Sequence, residues 1–208
     1  MNRRRFIWQE AQAQSGLPSS YTAVDYLQSS GEQWIEMGVA PNQNTKAVLK
    51  IKINVFTDTG ASLIGSRTDV NSDDQFTTYL DGYDGTRFLF RMDARPEAIS
   101  WKGLTTDKIY IVTLSGTEMK AELEDGTAVF SKTFSVPDFT STVTMALFKS
   151  KSIDKGFRGR IYSCKHYSGD ELIQDFVPCL DTRGVPCMFD LVSRKSFYNK
   201  GYGSFTWG

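Results

Sequence analysis

From Tyr21 onward, apolar and polar residues alternate with a period of two rather than 3.6. Residues 46–56 carry the clearest pattern. Ala47, Leu49, Ile51, Ile53 and Val55 fall on one side, and Lys50, Lys52 and Asn54 on the other. Successive side chains of a strand point to opposite faces, so this run predicts a half-buried antiparallel strand. Residues 87–92 set Phe88, Phe90 and Met92 against Arg87, Leu89 and Arg91, and residues 108–114 and 142–149 are similar. Residues 118–124 alternate Met119, Ala121 and Leu123 with Glu118, Lys120, Glu122 and Glu124, then meet Asp125-Gly126 and a second run at 127–134. Two alternating runs around Asp-Gly predict a hairpin with positive φ at both turn residues. Further runs occur at 33–38, 61–67, 75–80, 158–167 and 171–177, and short ones at 187–191, 196–198 and 204–207. Gly82-Tyr83-Asp84-Gly85, Ser168-Gly169-Asp170 and Lys200-Gly201-Tyr202-Gly203 punctuate them as turns. No segment beyond the first 20 residues keeps a helical period. About 12–14 short strands in one chain predict an all-β fold, a two-sheet antiparallel β-sandwich of the jelly-roll kind. The domain spans 21–208, behind a short arm and linker at 1–20.

Composition narrows the partners. The chain has 208 residues, enough to bury a sizeable core without metal or disulfides. It carries 24 Lys+Arg against 24 Asp+Glu, a formal charge of zero, which argues against nucleic-acid binding. The zero hides a polarity: Arg3, Arg4 and Arg5 face one acid, Glu10, in the arm, so the remainder is acidic. Phe6, Ile7 and Trp8 follow the arginines, but the apolar run stops at Gln9-Glu10, too short for a secretory signal. No run of about 18 apolar residues exists, so no membrane insertion is expected. The arm reads either as a solvated tail or as a docking peptide. In the second case Arg3, Arg4 and Arg5 meet an acidic surface, and Phe6, Ile7 and Trp8 an apolar groove. Gly16-Leu17-Pro18-Ser19-Ser20 reads as linker. Three cysteines, Cys164, Cys179 and Cys187, make an odd number and no disulfide framework, which suggests synthesis in a reducing cytoplasm.

Candidate chemistry is sparse. Glu122 and Glu124 share a strand face, as a glycosidase pair must, but they sit beside a hairpin turn among Glu118 and Lys120 and read as a solvated face. Cys164 and His166 also share a face, and with Cys179 and Cys187 could form a Cys3His zinc set. Their spacing fits no zinc ribbon or finger, and buried thiols with one hydrogen-bonded His are the ordinary reading. A Cys179–Cys187 disulfide is a further option without support from the sequence. The single His lacks an evident acid partner and no Gly-x-Ser-x-Gly elbow exists, so no catalytic residues are assigned and no enzyme is expected. Asp69, Asn71 and Asp73 alternate as calcium ligands do, with Asp81 and Asp84 able to add oxygens. The loop lacks a Gly at its sixth place and has Leu80 at its twelfth, so a plain polar loop competes and no cofactor is assigned beyond this candidate calcium. Sugar binding needs an aromatic platform flanked by amides and carboxylates. Tyr79, Tyr83 and Trp101, with Asp81, Asp84, Asn71 and Arg87, are the best set, although aromatics at strand spacing are more often core.

The two ends carry a recognisable pattern. Tyr21-Thr-Ala-Val-Asp-Tyr-Leu-Gln-Ser-Ser-Gly-Glu-Gln-Trp-Ile-Glu-Met-Gly38 resembles the opening of a concanavalin A-like, laminin-G-like jelly-roll family frequent in gut bacteriophages and prophages. Gly159-Arg-Ile-Tyr-Ser-Cys164, Leu172-Ile-Gln-Asp-Phe-Val-Pro-Cys179, Asp190-Leu-Val192, Phe197-Tyr-Asn199 and Gly201-Tyr-Gly-Ser-Phe-Thr-Trp-Gly208 resemble its closing segment, with its Pro-Cys and terminal Asn-x-Gly-x-Gly-x-Phe. Glu36-Met37-Gly38 stands where Asp-Thr-Gly is common, and Cys187-Met188-Phe189 where Gly-Leu-Tyr is usual. The resemblance implies a sandwich whose first and last strands pair. It also implies a non-enzymatic structural protein of a phage particle or a carbohydrate-binding module, and it brings no established site residues. Sandwiches of this kind sometimes hold calcium in rim loops. On this reading the protein is made in the host bacterium and resides in the virion as a capsid decoration, head fibre or tail-associated adhesin. It joins other virion proteins through its arm and forms a homo-oligomer through its sheet edges. It presents the jelly roll to a host-surface glycan or to neighbouring subunits. A free carbohydrate-binding module is the alternative, and a glycoside hydrolase is third.

Overall fold

The computed structural model describes residues 16–56, 60–68, 75–81, 87–92, 99–133, 135, 138–151 and 155–208, with the backbone alone at Asp81, Arg87 and 99–101. Among the described residues there is no helix. The strands are β1 (Thr22–Ala23), β2 (Leu27–Ser30), β3 (Ile35–Glu36), β4 (Thr45–Ile53), β5 (Ile64–Arg67), β6 (Gln75–Asp81), β7 (Arg87–Met92), β8 (Ile99–Lys102) and β9 (Ile109–Ser115). They continue as β10 (Glu118–Leu123), β11 (Ala128–Thr133), β12 (Ala146–Leu147), β13 (Arg158–Ser168), β14 (Glu171–Leu180), β15 (Pro186–Asp190), β16 (Lys195–Tyr198) and β17 (Thr206–Trp207). The larger sheet runs β11-β10-β9-β4-β13-β14-β15-β16, with β2 paired to β13 and β17, and β1 to β14. The smaller runs β3-β12-β5-β6-β7-β8. Every pairing between these strands is antiparallel, giving the expected jelly-roll sandwich.

The alternation does what it predicts. In β4, Ala47, Leu49, Ile51 and Ile53 are fully buried, while the lysines between them are half-exposed. They meet Phe76, Phe88, Phe90 and Met92 of the smaller sheet in one continuous core. Phe76 and Phe90 pack edge to face, with ring centroids 5.0 Å apart. Removing one such aromatic from water contributes about 1.5–3 kcal/mol, so these two faces hold the sheets together. The ends also join: Thr206 and Trp207 pair with Gln28 and Leu27, so the last strand lies on β2, while β1 pairs with β14.

Three local expectations are corrected. Val55 is 47% exposed, because β4 ends at Ile53 and the amides of Asn54 and Val55 both turn to the carbonyl of Arg158. The Asp-Gly hairpin exists between β10 and β11, but only Gly126 has positive φ, at 83°. Leu123 bonds across to Thr127, so the loop has three residues with glycine in the left-handed position, rather than two left-handed residues. Residues 142–149 form only the two-residue β12, since Phe148 has φ 67° and turns the chain away. Its ring lies buried against Phe205 at 4.8 Å, and that burial offsets the backbone cost.

A second, smaller cluster lies on the other side of the β14–β15 hairpin. Phe176 and Met188 belong to the main core. Cys179, Cys187 and Phe189 instead meet Leu17, with Tyr21, Val177, Leu191 and Tyr198 around them. Leu17, from the segment read as linker, covers this cluster.

Candidate functional site

The sequence-predicted sugar set maps to the smaller sheet as far as it can be followed. Tyr83, Asp84 and Asn71 lie outside the described residues, as do the calcium candidates Asp69, Asn71 and Asp73, and the arm residues Arg3, Arg4, Arg5, Phe6, Ile7 and Trp8. Tyr79 pairs with Leu89, Asp81 with Arg87, and Trp101 with the buried Phe88. The register thus sets Trp101 opposite a core position, while Tyr79, Asp81 and Arg87 follow the other parity. Tyr79 is half-buried, and its hydroxyl accepts a hydrogen bond from Arg67 Nη1. The same guanidinium lies 5.6 Å from the ring centroid. The Tyr79 ring is therefore engaged by a buried arginine of its own sheet rather than standing as an open platform.

The other constellations resolve plainly. Glu122 pairs with Lys120 and Glu124 with Lys50, each at 2.6 Å, on the solvent side of the larger sheet. The three cysteines among the four zinc candidates are split between the two clusters. Cys164 lies in the main core, whereas Cys179 and Cys187 lie across the sheet beneath Leu17. Among the described residues no group of three or more His, Cys, Asp or Glu could hold a metal. His166 is buried and hydrogen-bonds through Nδ1 to Gln174 Oε1 at 3.1 Å; Gln174 Nε2 donates to the Met37 carbonyl at 2.9 Å. Burial lowers its pKa below the ordinary 6.5, favouring the neutral ring. It is a core residue that ties β13, β14 and the strand-end at Met37 together.

Two clefts at the surface differ in how their polar groups are used. The first, about 270 Å³, is lined by Val185, Pro186, Tyr198, Asn199 and, from the closing loop, Gly201, Gly203, Ser204 and Phe205. Here the polar groups are spent. Asn199 Oδ1 accepts from the amides of Trp34 at 3.1 Å and Gly201 at 2.8 Å, and Nδ2 donates to the Gly203 carbonyl at 2.8 Å. Gln33 Nε2 donates to the Tyr202 carbonyl at 2.8 Å. A Cβ at Gly201 would stand 1.8 Å from the Glu32 carbonyl oxygen, so only glycine fits. The terminal Asn-x-Gly-x-Gly-x-Phe pattern is thus a clasp that fastens the chain's last residues to the segment before β3.

The second cleft, about 340 Å³, lies at one end of the larger sheet, where three turns meet. It is lined by Gln43 to Lys46 at the start of β4, Ser115 to Glu118 between β9 and β10, and Gly169 and Asp170 between β13 and β14. These turns lie far apart in sequence. They meet because β10, β9, β4, β13 and β14 are consecutive neighbours in the sheet. The turns are braced by short bonds within and between them. Asn42 Oδ1 accepts from Asn44 N at 2.8 Å, Ser115 Oγ from Glu118 N at 3.0 Å, and the Asn44 carbonyl from Gly169 N at 2.8 Å. That bracing leaves the side chains of Asn44, Thr117 and Asp170 exposed, with Gln43, Lys46 and Glu118 half-exposed beside them. Lys46 Nζ also lies 4.8 Å from the Tyr167 ring centroid. The result is a concave site of amide, hydroxyl, carboxylate and ammonium groups on a rigid sheet end. Its volume falls in the range of about 300–1,000 Å³ that small ligands occupy. In the sequence, Ser168-Gly169-Asp170 is legible as a turn, but nothing there joins it to Asn44 or Thr117.

No protein-family model matches the chain, and no curated protein sequence matches it. Solved structures do. A candidate carbohydrate-binding protein from Bacteroides ovatus superposes with TM-score 0.58 at 12% identity, over 89% of this chain and 60% of that one. Domains LG4-5 of the mouse laminin α1 chain superpose with TM-score 0.50 at 13% identity, over 89% of this chain and 46% of that one. The chain therefore spans less than two thirds of either structure. At these identities the likeness establishes the fold, a laminin-G-like, concanavalin A-like jelly roll.

Proposed function

We propose that this chain is a non-enzymatic, glycan-binding jelly roll that takes its ligand in the cleft between the turns at Asn44, Thr117 and Asp170. The observation that carries the reading is the contrast in hydrogen-bond use. In this cleft the Asn42 and Ser115 side chains brace the turns, and the side chains of Asn44, Thr117 and Asp170 stand toward solvent. A sugar offers paired hydroxyls that both donate and accept, and amides with carboxylates answer both. The Bacteroides ovatus neighbour, itself a candidate carbohydrate-binding protein, agrees with this class of ligand. The test is a glycan array followed by calorimetry on the leading hit. Asn44→Ala and Asp170→Ala should each weaken binding about tenfold or more, the loss expected for one or two polar contacts. Tyr79→Phe and Glu122→Gln should leave it unchanged. Silence across the array, or binding that survives the cleft variants and fails with Tyr79→Phe, would overturn the assignment.

The finer reading is that the module is carried on a phage particle, anchored by Arg3, Arg4, Arg5, Phe6, Ile7 and Trp8. It is supported by the resemblance of the chain's ends and by the charge of the arm, and it makes the virion the place of action. Removing residues 1–15 should leave a folded, glycan-binding sandwich that is missing from particles. Normal incorporation of the shortened chain would rule the anchor out.

A further inference from the structure

Cys179 and Cys187 stand directly opposite each other on β14 and β15, with their Sγ atoms 3.5 Å apart. Both are fully buried in the small cluster beneath Leu17. Directly opposed residues of an antiparallel pair have Cα atoms about 4.5 or 5.5 Å apart, inside the range of about 4.4–6.8 Å that a disulfide spans. At that spacing, side-chain rotation is the movement that closes a 3.5 Å gap between sulfurs to a bond of about 2.05 Å. The third thiol cannot compete, because Cys164 faces the main core on the other side of the sheet. The odd cysteine count thus resolves into one pair and one bystander.

We propose that Cys179 and Cys187 form a modification site, a dithiol that low-molecular-weight disulfides such as glutathione disulfide convert reversibly to a cross-strand disulfide. Cys187 is the attacking sulfur. The Cys179 thiol donates a hydrogen bond to it across 3.5 Å, which holds its pKa below the ordinary thiol value, whereas Cys179 is pushed well above. The Cys187 thiolate attacks one sulfur of the oxidant, whose S–S bond breaks and releases the first glutathione thiolate. The Cys179 sulfur then gives up its proton and attacks Cys187 in the mixed disulfide, releasing the second. Two electrons pass from the protein thiols to the oxidant, and the two thiol protons end on the two glutathiones.

Access is through a short cover. Leu17 sits on the pair, in the short segment from Gly16 to Tyr21 that leads into β1, and the Tyr21 ring packs on Phe189 at 5.2 Å. Arg194 donates to the Gly16 carbonyl, Tyr21 N to Pro18, and Ser196 Oγ to the Tyr21 hydroxyl at 3.0 Å. Lifting such a segment is a local opening that needs far less than global unfolding.

The test uses the full chain in glutathione redox buffers, quenched in acid, denatured and alkylated. In oxidising buffer the labelled thiols should fall from three to one, with the remaining label on Cys164, and dithiothreitol should restore all three. Cys179→Ser should accumulate a glutathione on Cys187, while Cys187→Ser should leave Cys179 unmodified over the same period. Leu17→Ala should speed wild-type oxidation several-fold. Three labels in every buffer, a bond that includes Cys164, or glutathione trapped on Cys179 instead of Cys187 would each overturn the proposal.

Discussion

The closing-segment cleft and the turn cleft are similar in size and polarity, yet they do opposite work. In the first, Asn199 and Gln33 aim their amides at backbone groups across a chain crossing. In the second, Asn42 and Ser115 brace the turns locally, and the residues beside them are left to the solvent. The difference teaches that composition does not mark a binding site. A polar side chain is available to a ligand only when the backbone around it has already been satisfied by something else.

This contrast can be broken in a graded way. Gly201→Ala should be the most damaging change, costing about 3 kcal/mol or more in denaturant unfolding, since its Cβ would drive the loop off the Glu32 carbonyl. Asn199→Ala should cost about 2 kcal/mol, because the Trp34 and Gly201 amides lose their acceptor. If either variant unfolds normally, the clasp is not structural. Asn44→Ala and Asp170→Ala should stay within about 0.5 kcal/mol of the parent in the same measurement while losing ligand. A large stability loss there would make the turn cleft a second clasp.

The smallest effect concerns acid. Asp181 opens the turn into β15. The amide of Val185, the guanidinium and amide of Arg183 and the Tyr198 hydroxyl all donate to its carboxylate, holding its pKa down to about 2. A carboxyl with a lowered folded pKa contributes stability above its ordinary value of 3.8 and loses it as pH falls toward 2. Asp181→Asn should therefore flatten the acid limb of the stability curve in that window. An unchanged limb would detach Asp181 from the closing segment's stability.

Much of the architecture was legible because half-burial writes itself into alternate positions. Ala47, Leu49, Ile51 and Ile53 announce β4, and Phe88, Phe90 and Met92 announce β7, without any knowledge of their neighbours. Alternation does not say which strand lies beside which. The turn cleft depends on β4 lying between β9 and β13, a long-range fact with no local trace at Asn44, Gly116 or Asp170. Local geometry also escaped where tertiary contacts overrode propensity. Phe148 accepts a left-handed backbone to place its ring in the core, and the Asp-Gly loop takes a third residue. The zinc candidates failed for a related reason: Cys179 follows the buried Pro178 yet faces away from it, because Leu17 offers a second apolar shelter.

The central place of β4 has a consequence for synthesis. One of its edges must wait for β9, about 60 residues downstream, and the other for β13, more than 100 residues downstream. While the chain is still emerging from a ribosome, that strand is a sticky ribbon with two open edges. Lys46, Lys50 and Lys52, spaced along its outer side, put a repelling charge at every second or fourth residue of the ribbon. Two of these lysines later stack on tyrosines from β13, Lys46 over Tyr167 and Lys50 over Tyr162. The same charges that keep nascent copies apart thus become part of the finished surface once their partner strand arrives.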